Sequence, residues 1–194
     1  MNKSSLERYY VQEKKSAADI ARVYTCSQRT INYWLKKYNI PKRSIREALY
    51  IKNNPHGDPF VIKNPKTKDE LILFGMGLGL YWGEGTKASK NAIRLGNSDP
   101  LLMKKFMEFL ETLFGVKKKD LKFQLQIFSD LCTCDVEKIW MEKLGIHKKQ
   151  LYKTIVTPQR SPGTYRKKNK YGVVTLYYGN TKLRDVIYNL LPKE

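Results

Sequence analysis

The apolar positions in the first fifty residues recur at helical spacing and are separated by short polar breaks. Helices are predicted from about Ser5 to Glu13, from a polar cap at Ser16 onwards, and from Gln28 to Tyr38. The third helix has apolar residues at i, i+3, i+4 and i+7, which predicts one buried face. These residues are Ile31, Trp34, Leu35 and Tyr38. The pattern predicts a small all-α domain over residues 1–50.

A change in composition marks the next stretch. Residues 51–67 place three prolines and Gly57 among polar residues, which is typical of a linker between domains. Just before it, the basic run from Lys42 to Arg46 is predicted to be an arm or a short helix. The chain is therefore divided into residues 1–50, a linker at 51–67 and a second domain at 68–194.

The second domain mixes helical and alternating patterns. A helix opens at Asp99-Pro100 and ends at Gly115, in the favoured order of a cap followed by proline. Leu121 to Ile127 alternates strictly between apolar and polar positions, as a strand with one buried face does. The remaining predicted elements are a hairpin at 86–97, strands at 153–157 and 173–178, and helices at 135–144 and from Thr181. The fold class is α+β, and no internal repeat is predicted.

The most unusual pattern is the glycine-rich apolar run from Phe74 to Gly85, for which a helix starting near Lys68 is predicted. Each glycine inside a helix costs about 0.5–1 kcal/mol relative to alanine. Gly75, Gly79 and Gly83 recur every four residues on one face, which favours close approach of a second helix. The run is too short for a membrane span and lacks the spacing of a phosphate loop. An ordinary buried helix that tolerates glycine is the remaining alternative.

The net charge of the chain indicates a polyanionic partner. The chain has 37 Lys and Arg against 18 Asp and Glu, a formal net charge of +19. Such an excess destabilises a compact protein through self-repulsion unless a polyanion offsets it. Residues 143–184 contain no Asp or Glu but eleven Lys or Arg, which favours phosphate contact over a merely solvated face. Since 41% of the residues are hydrophobic, a folded nucleic-acid-binding protein is expected rather than a basic tail.

Cysteine usage and the N-terminus indicate a location inside the cell. Cys26, Cys132 and Cys134 are too few for a disulfide framework, and a zinc site at Cys132-Thr-Cys134 with His147 lacks a second ligand pair. The first residues lack the apolar segment of a signal peptide. A cytoplasmic protein without a membrane span is therefore expected, associated with the nucleoid if the source is bacterial or archaeal.

The segment Gly77–Gly85, with the sequence Gly-Leu-Gly-Leu-Tyr-Trp-Gly-Glu-Gly, resembles the nine-residue signature of the LAGLIDADG homing endonucleases. Gly79, Leu80 and Gly85 match the signature, and Glu84 takes the place of its final acid. In that family two such helices pack together, and each ends in a metal-binding carboxylate above a sheet that grips DNA. The resemblance implies a LAGLIDADG-like mixed α/β domain whose antiparallel sheet faces DNA. The predicted order has one more helix than the family's α-β-β-α-β-β-α unit, and its first hairpin is short.

The same resemblance implies a site. Glu84 is expected to be the catalytic acid and, with the carbonyl of Gly83, a ligand of Mg²⁺. Magnesium prefers oxygen ligands, and it activates water and stabilises the leaving oxygen in phosphodiester hydrolysis. Because a double-strand cut needs two such acids, a two-fold homodimer is expected across the face of Gly75, Gly79 and Gly83.

The N-terminal helices resemble the helix-turn-helix of DNA-binding proteins. Ala21 and Ile31 stand where that family keeps a small and a branched apolar residue, and Thr25 replaces the usual turn glycine. The resemblance implies that the third helix enters the major groove of double-stranded DNA. Residues expected to contact DNA come from this helix, the basic segment, the hairpin at 86–97, the alternating strand and the basic C-terminal part. They are Gln28, Arg29, Asn32, Tyr33, Arg43, Lys87, Arg94, Lys122, Gln124, Gln126, Lys153, Arg160, Arg166, Lys167, Lys168 and Lys170.

Two other functions stay open. A non-cleaving transcriptional regulator on the same fold is favoured by the short hairpin after Glu84, whereas the retained acid favours a nuclease. An RNA-binding module is the third possibility, but the recognition-helix pattern favours duplex DNA.

Overall fold

The structure is a computed structural model that describes residues 1–158 and 171–192. Within them the chain forms two compact units, Met1–Pro59 and Phe60–Glu194. The division falls inside the predicted linker. The α-helices are α1 Lys3–Glu7, α2 Ala17–Val23, α3 Gln28–Lys37, α4 Ile45–Asn53, α5 Lys68–Glu84, α6 Pro100–Phe114, α7 Thr133–Leu144 and α8 Thr181–Asn189. The strands are β1 Ile93–Asn97, β2 Lys122–Phe128, β3 Ile155–Thr157 and β4 Val173–Tyr178. The coarse prediction of a mixed α+β protein is confirmed.

The first unit is a small helical domain built by local caps. A π-helical turn, Arg8–Gln12, continues α1. Ser16 opens α2 with a capping box to Asp19, and Ser27 caps α3. The buried residues are Leu6, Tyr10, Ile20, Ala21, Ile31, Leu35 and Ile40. Trp34 and Tyr38, predicted to be buried, are only half-buried and stack on each other at the edge of this core.

The predicted linker is shorter than residues 51–67. At its start, α4 runs to Asn53, because Ser44 caps a helix that the basic run only partly indicates. At its end, Phe60 is buried in the core of the second unit. The backbone N–H groups of Val61 and Lys63 donate to carbonyls at the end of α6, so this segment belongs to the second unit.

The second unit has a four-stranded sheet in the order β1-β4-β2-β3. Strand β4 is antiparallel to both β1 and β2, but β2 and β3 are parallel. The predicted wholly antiparallel sheet is therefore wrong. The reason is α7, which lies between β2 and β3 in the chain and returns it to the edge where β2 began, as a β-α-β crossover does.

One face of the sheet is covered by helices, and no described element covers the other, which we call the open face. The buried face is formed by alternate strand residues, which share one core with residues of α5, α6, α7 and α8. The alternation predicted for β2 is confirmed, since Phe123, Leu125 and Ile127 are buried. The hairpin predicted at 86–97 is reduced: only β1 forms, joined to Gly85 by a single bridge at Leu95.

A repeated unit occurs in this fold, contrary to the prediction of none. Helices α6 and α7 both end at a glycine in the left-handed conformation, Gly115 and Gly145, which lie thirty residues apart. Each is followed by a buried aliphatic residue, a 3-10 turn and a strand, β2 or β3. The turn segments read Gly-Val-Lys-Lys-Lys-Asp-Leu and Gly-Ile-His-Lys-Lys-Gln-Leu. We name residues 117–120 and 147–150 the two lysine turns.

Candidate nucleic-acid interface and the end of helix α5

Helix α5 begins at a strong cap and packs one face against α6. Thr67 forms a capping box with Glu70, and the backbone N–H groups of Lys66 and Thr67 hold the pKa of the Glu70 carboxyl below its usual value. On the inner face, a Cβ at Gly77 would collide with the ring of Phe109. Here glycine is required by the chain's own core.

The outer face of α5 is exposed and apolar. Among the described residues, an added Cβ at Gly75, Gly79 or Gly83 would meet no atom within 4 Å. Four large apolar side chains with 43–57% exposure share this face with the glycines: Leu71, Ile72, Met76 and Trp82. The helix therefore presents a bare stripe of backbone between apolar side chains.

The helix ends at an exposed carboxylate. Glu84 is the last helical residue, and Gly85 continues in extended conformation against Tyr81, where a Cβ would collide with the Tyr81 carbonyl oxygen. Within residues 1–158 and 171–192, no hydrogen bond or ion pair to the Glu84 side chain occurs. A carboxylate at a helix C-terminus adds to the negative end of the helix dipole, so this position favours a cation.

Two basic residues hold the chain just after Glu84. The Lys87 ammonium donates to the carbonyl of Trp82 in the last turn of α5. Arg184 of α8 donates from Nη2 to the Lys87 carbonyl at 2.6 Å and from Nη1 to Asp185 at 3.1 Å. Arg184 is buried, as is Tyr81; burial raises the pKa of the Tyr81 hydroxyl, while the nearby Arg184 opposes that rise. Lys87, expected to contact DNA, thus supports the helix end.

The open face of the sheet brings four expected DNA contacts together. In register across β1, β4 and β2, Arg94, Tyr177 and Lys122 form one row. The Arg94 guanidinium lies 5.2 Å from the ring centroid of Tyr177. Tyr177 donates its hydroxyl proton to Gln124 at 3.1 Å, and Gln126 lies further along β2 opposite β3. No acidic residue occurs at the strand positions of this face.

The same edge of the sheet carries both the open-face row and the end of α5. Gly85 bridges to Leu95, and the Thr86 N–H donates to the Arg94 carbonyl at 2.9 Å. The Lys122 ammonium at the other end of the row donates to the Lys149 carbonyl at 3.0 Å. A path of basic, amide and aromatic groups therefore runs from the helix end to the lysine turns.

In the first unit, α3 exposes most of its expected contact residues. Gln28, Arg29 and Tyr33 are exposed, and Asn32 is half-buried. Thr25, in the turn before α3, has a φ of 50°, a left-handed conformation that is uncommon for a β-branched residue. The turn thus adopts the backbone for which glycine is usual.

Arg43 has a structural use in the same unit. Its guanidinium donates to the carbonyl of Lys14 at 2.8 Å and to that of Lys15, and it lies 4.2 Å from the Tyr10 ring centroid. These contacts fasten the segment before α4 to the first helix region. These internal contacts explain why an arginine stands at position 43 without any contact to a nucleic acid. The basic run in the sequence did not indicate this structural role.

The remaining expected contacts divide between exposed and undescribed positions. Lys153 is exposed before β3. Five of the expected contacts lie outside the described residues: Arg160, Arg166, Lys167, Lys168 and Lys170.

The donors at the end of α5 are oxygen atoms, which Mg²⁺ prefers: one carboxylate and two backbone carbonyls. Glu84 is exposed and unpaired in the described part of the chain, and the carbonyls of Gly83 and Glu84 lie in the last turn, beyond the helix's own donors. No cluster of three or more His, Cys, Asp or Glu side chains occurs among the described residues. Magnesium is commonly held by one or two carboxylates and several waters, so this sparse donor set suits it.

Comparison of the chain with models of protein families, with curated proteins and with solved structures finds no match. Among the described residues, no helix is both long enough and apolar enough to span a membrane.

Proposed function

We propose that the protein binds double-stranded DNA as a two-fold homodimer and makes a Mg²⁺-dependent phosphodiester cut with Glu84. The observation that carries the proposal is α5, whose outer face is bare and apolar and whose last residue is an unpaired carboxylate within the described chain. This is the arrangement that the resemblance to the LAGLIDADG endonucleases implies for residues 77–85.

The homodimer is supported by the exposed face of α5. Several neighbouring apolar side chains left in water are unfavourable, and such patches typically mark an interaction site. Glycines at 75, 79 and 83 allow another backbone to approach closely, and a symmetric partner offers the same stripe. If the two-fold axis runs along the helix pair, the pairing would also bring two Glu84 carboxylates to the same end.

DNA contact is supported by the open face of the sheet and by α3. The open face combines Arg94, Lys122 and two glutamines with Tyr177 and has no acid at its strand positions. Arginine and lysine bind phosphates, and glutamine pairs with adenine in a major groove. In the first unit, Arg29 and Asn32 lie near the start of α3, where recognition helices contact bases.

At the cutting site, Glu84 and the Gly83 carbonyl would hold Mg²⁺, which when bound supplies charge stabilisation for phosphodiester hydrolysis and acidifies water. The chain's own residues contribute position. Lys87 caps a carbonyl of the last turn of α5, and Arg184 fixes Lys87, so the carboxylate is held on a rigid helix end.

A non-cleaving regulator is the second candidate, and a specific observation favours it. The strand that was expected to pair with β1 is reduced to the single bridge at Gly85. The open face is therefore narrower than it would be with a complete hairpin at 86–97. A protein with this surface and the α3 helix could hold DNA without cutting it.

The test is incubation of the purified protein with a plasmid carrying its own flanking DNA, with Mg²⁺ or with EDTA, alongside a gel-shift assay. The proposal predicts DNA binding both with Mg²⁺ and with EDTA, but cutting only when Mg²⁺ is present. The Glu84→Gln variant should bind DNA but not cut it. Binding without any cutting by the wild type supports the regulator. Absence of duplex binding at low salt would contradict both candidates.

A further inference from the structure

The two lysine turns are structural copies that stand side by side. In each, the fourth residue donates its backbone N–H to the carbonyl of the first, at 2.9 Å for Asp120 and Lys117 and at 2.9 Å for Gln150 and His147. Each turn precedes a strand, and those strands are parallel neighbours. Because parallel strands start at the same edge of a sheet, the two turns share that edge.

A buried glutamine fixes the distance between the two turns. Gln150 is only 3% exposed, and its Nε2 donates to the carbonyls of Lys118 at 2.8 Å and Leu121 at 3.1 Å. Its Oε1 accepts from the backbone N–H of His147 in its own turn. One side chain of the second turn therefore ties down the backbone of the first, so the lysines project from a rigid pair.

The lysines that project from this pair are available to a ligand. Lys117, Lys119 and Lys149 are exposed, and no ion pair or hydrogen bond of their ammonium groups occurs in the described part of the chain. The other two are used internally: Lys148 pairs with the carboxylate of Glu137, and Lys118 is half-buried. Asp120 is the one acid within the two turns.

Their position continues the open face of the sheet. Lys122 opens β2 in the row with Tyr177 and Arg94, and it contacts the Lys149 carbonyl of the second turn. A polyanion lying along the open face would therefore reach both turns at one end. Several exposed ammonium groups on a rigid backbone suit the successive phosphates of a nucleic-acid strand better than a single small anion.

We propose that the two lysine turns form one clamp for the phosphate backbone of duplex DNA at the edge of the open face. The inference rests on the proposed DNA binding and adds to it a defined contact that the repeat creates. It assigns Lys117, Lys119 and Lys149 a role in affinity and register without base recognition.

The test is the salt dependence of duplex binding by the full-length protein, measured by fluorescence anisotropy from low to high salt. The clamp variant is Lys119→Gln with Lys149→Gln, one residue from each turn. The matched control is Lys104→Gln with Lys138→Gln, one exposed lysine from each of the two helices of the repeat, on the helical side of the sheet. Both variants remove two charges, and circular dichroism and thermal midpoints confirm folding.

The clamp variant should lower the slope of log affinity against log salt by about one per lysine, hence about two per bound subunit. The curves of wild type and variant should converge near 1 M salt, where counterion release contributes little. The control should keep the wild-type slope, and Lys119→Arg with Lys149→Arg should restore it.

The possible failures are distinguishable. If the wild type binds duplex DNA but the clamp and control variants share one slope, the clamp is wrong and DNA binding stands. If the wild type binds no duplex at low salt, the proposed function is wrong and the clamp fails with it. A clamp variant that loses binding to single-stranded RNA only would also overturn the clamp as stated.

Discussion

The two faces of helix α5 use glycine for opposite reasons. Gly77 on the inner face is required because a side chain there would strike Phe109 in the core. Gly79, two residues later, faces outward, and a side chain there would meet nothing within 4 Å in the described part of the chain. The inner glycine is thus explained by this chain alone, whereas no contact among the described residues explains the outer stripe. The proposed homodimer would supply a reason for the outer glycines, because a second copy offers the same stripe of small residues.

The largest effect is expected from filling the inner face. Gly77→Leu should prevent the second unit from folding, since Phe109 is fully buried and overpacking of a close contact costs about 1–3 kcal/mol or more even for small insertions. Near-ultraviolet circular dichroism of the full chain and fluorescence of the buried Trp140 would report the loss. A cooperative native-like transition in this variant would show that the two helices can separate without cost.

A side chain on the outer face should break association but not folding. If the proposed homodimer pairs through this face, Gly79→Leu should convert it to a monomer, because a branched side chain keeps two backbones apart. Multi-angle light scattering over a concentration series would measure this, with Lys138→Gln as a variant outside the face. An unchanged dimer would place the interface elsewhere and leave the apolar stripe unexplained.

The effect of the smaller substitution Gly79→Ala on the free energy of unfolding should change sign with protein concentration. In the monomer, alanine should stabilise α5 by about 0.5–1 kcal/mol, since it lowers the entropy lost on folding and meets no neighbour. At concentrations where the dimer forms, the added methyl should offset that gain by weakening association. Urea unfolding at low and high protein concentration tests both parts. A gain of equal size at every concentration would argue that nothing covers this face.

The parts of the fold that sequence predicted are those determined by neighbours in the chain. Helix α5 was predicted from its apolar pattern after Lys68, α6 from Asp99-Pro100 and Gly115, and β2 from strict alternation. Each of these signals is local. The glycine spacing likewise predicted one outward stripe, because positions four apart share a helix face.

The parts that were missed depend on partners distant in sequence. The direction of β3 depends on the crossover through α7, and the lost hairpin arm depends on how Gly85 meets β1. The thirty-residue repeat was readable as Gly-x-x-Lys-Lys-x-Leu in both copies, yet four shared residues in seven are a weak signal without the shared 3-10 turn. The sequence also did not indicate which basic residues have a structural role. Arg43 and Arg184 are two that do.

The smallest effect is expected at Tyr81, on the inner face of the last turn of α5. The Tyr81 hydroxyl is buried and lacks a hydrogen-bond partner in the described chain, so Tyr81→Phe should retain the ring stacked on Phe106 and lose nothing. We expect unchanged stability or a gain of up to about 1 kcal/mol at neutral pH.

Because burial raises the Tyr81 pKa above 10.0, the unfolded chain ionises first, and wild-type stability should fall as pH rises above that value. The phenylalanine variant should lose this particular decline, so its advantage in urea unfolding should grow between about pH 9 and 11. A loss of more than about 1 kcal/mol at neutral pH would instead show that the hydroxyl serves Arg184 and, through Lys87, the end of α5 that carries Glu84.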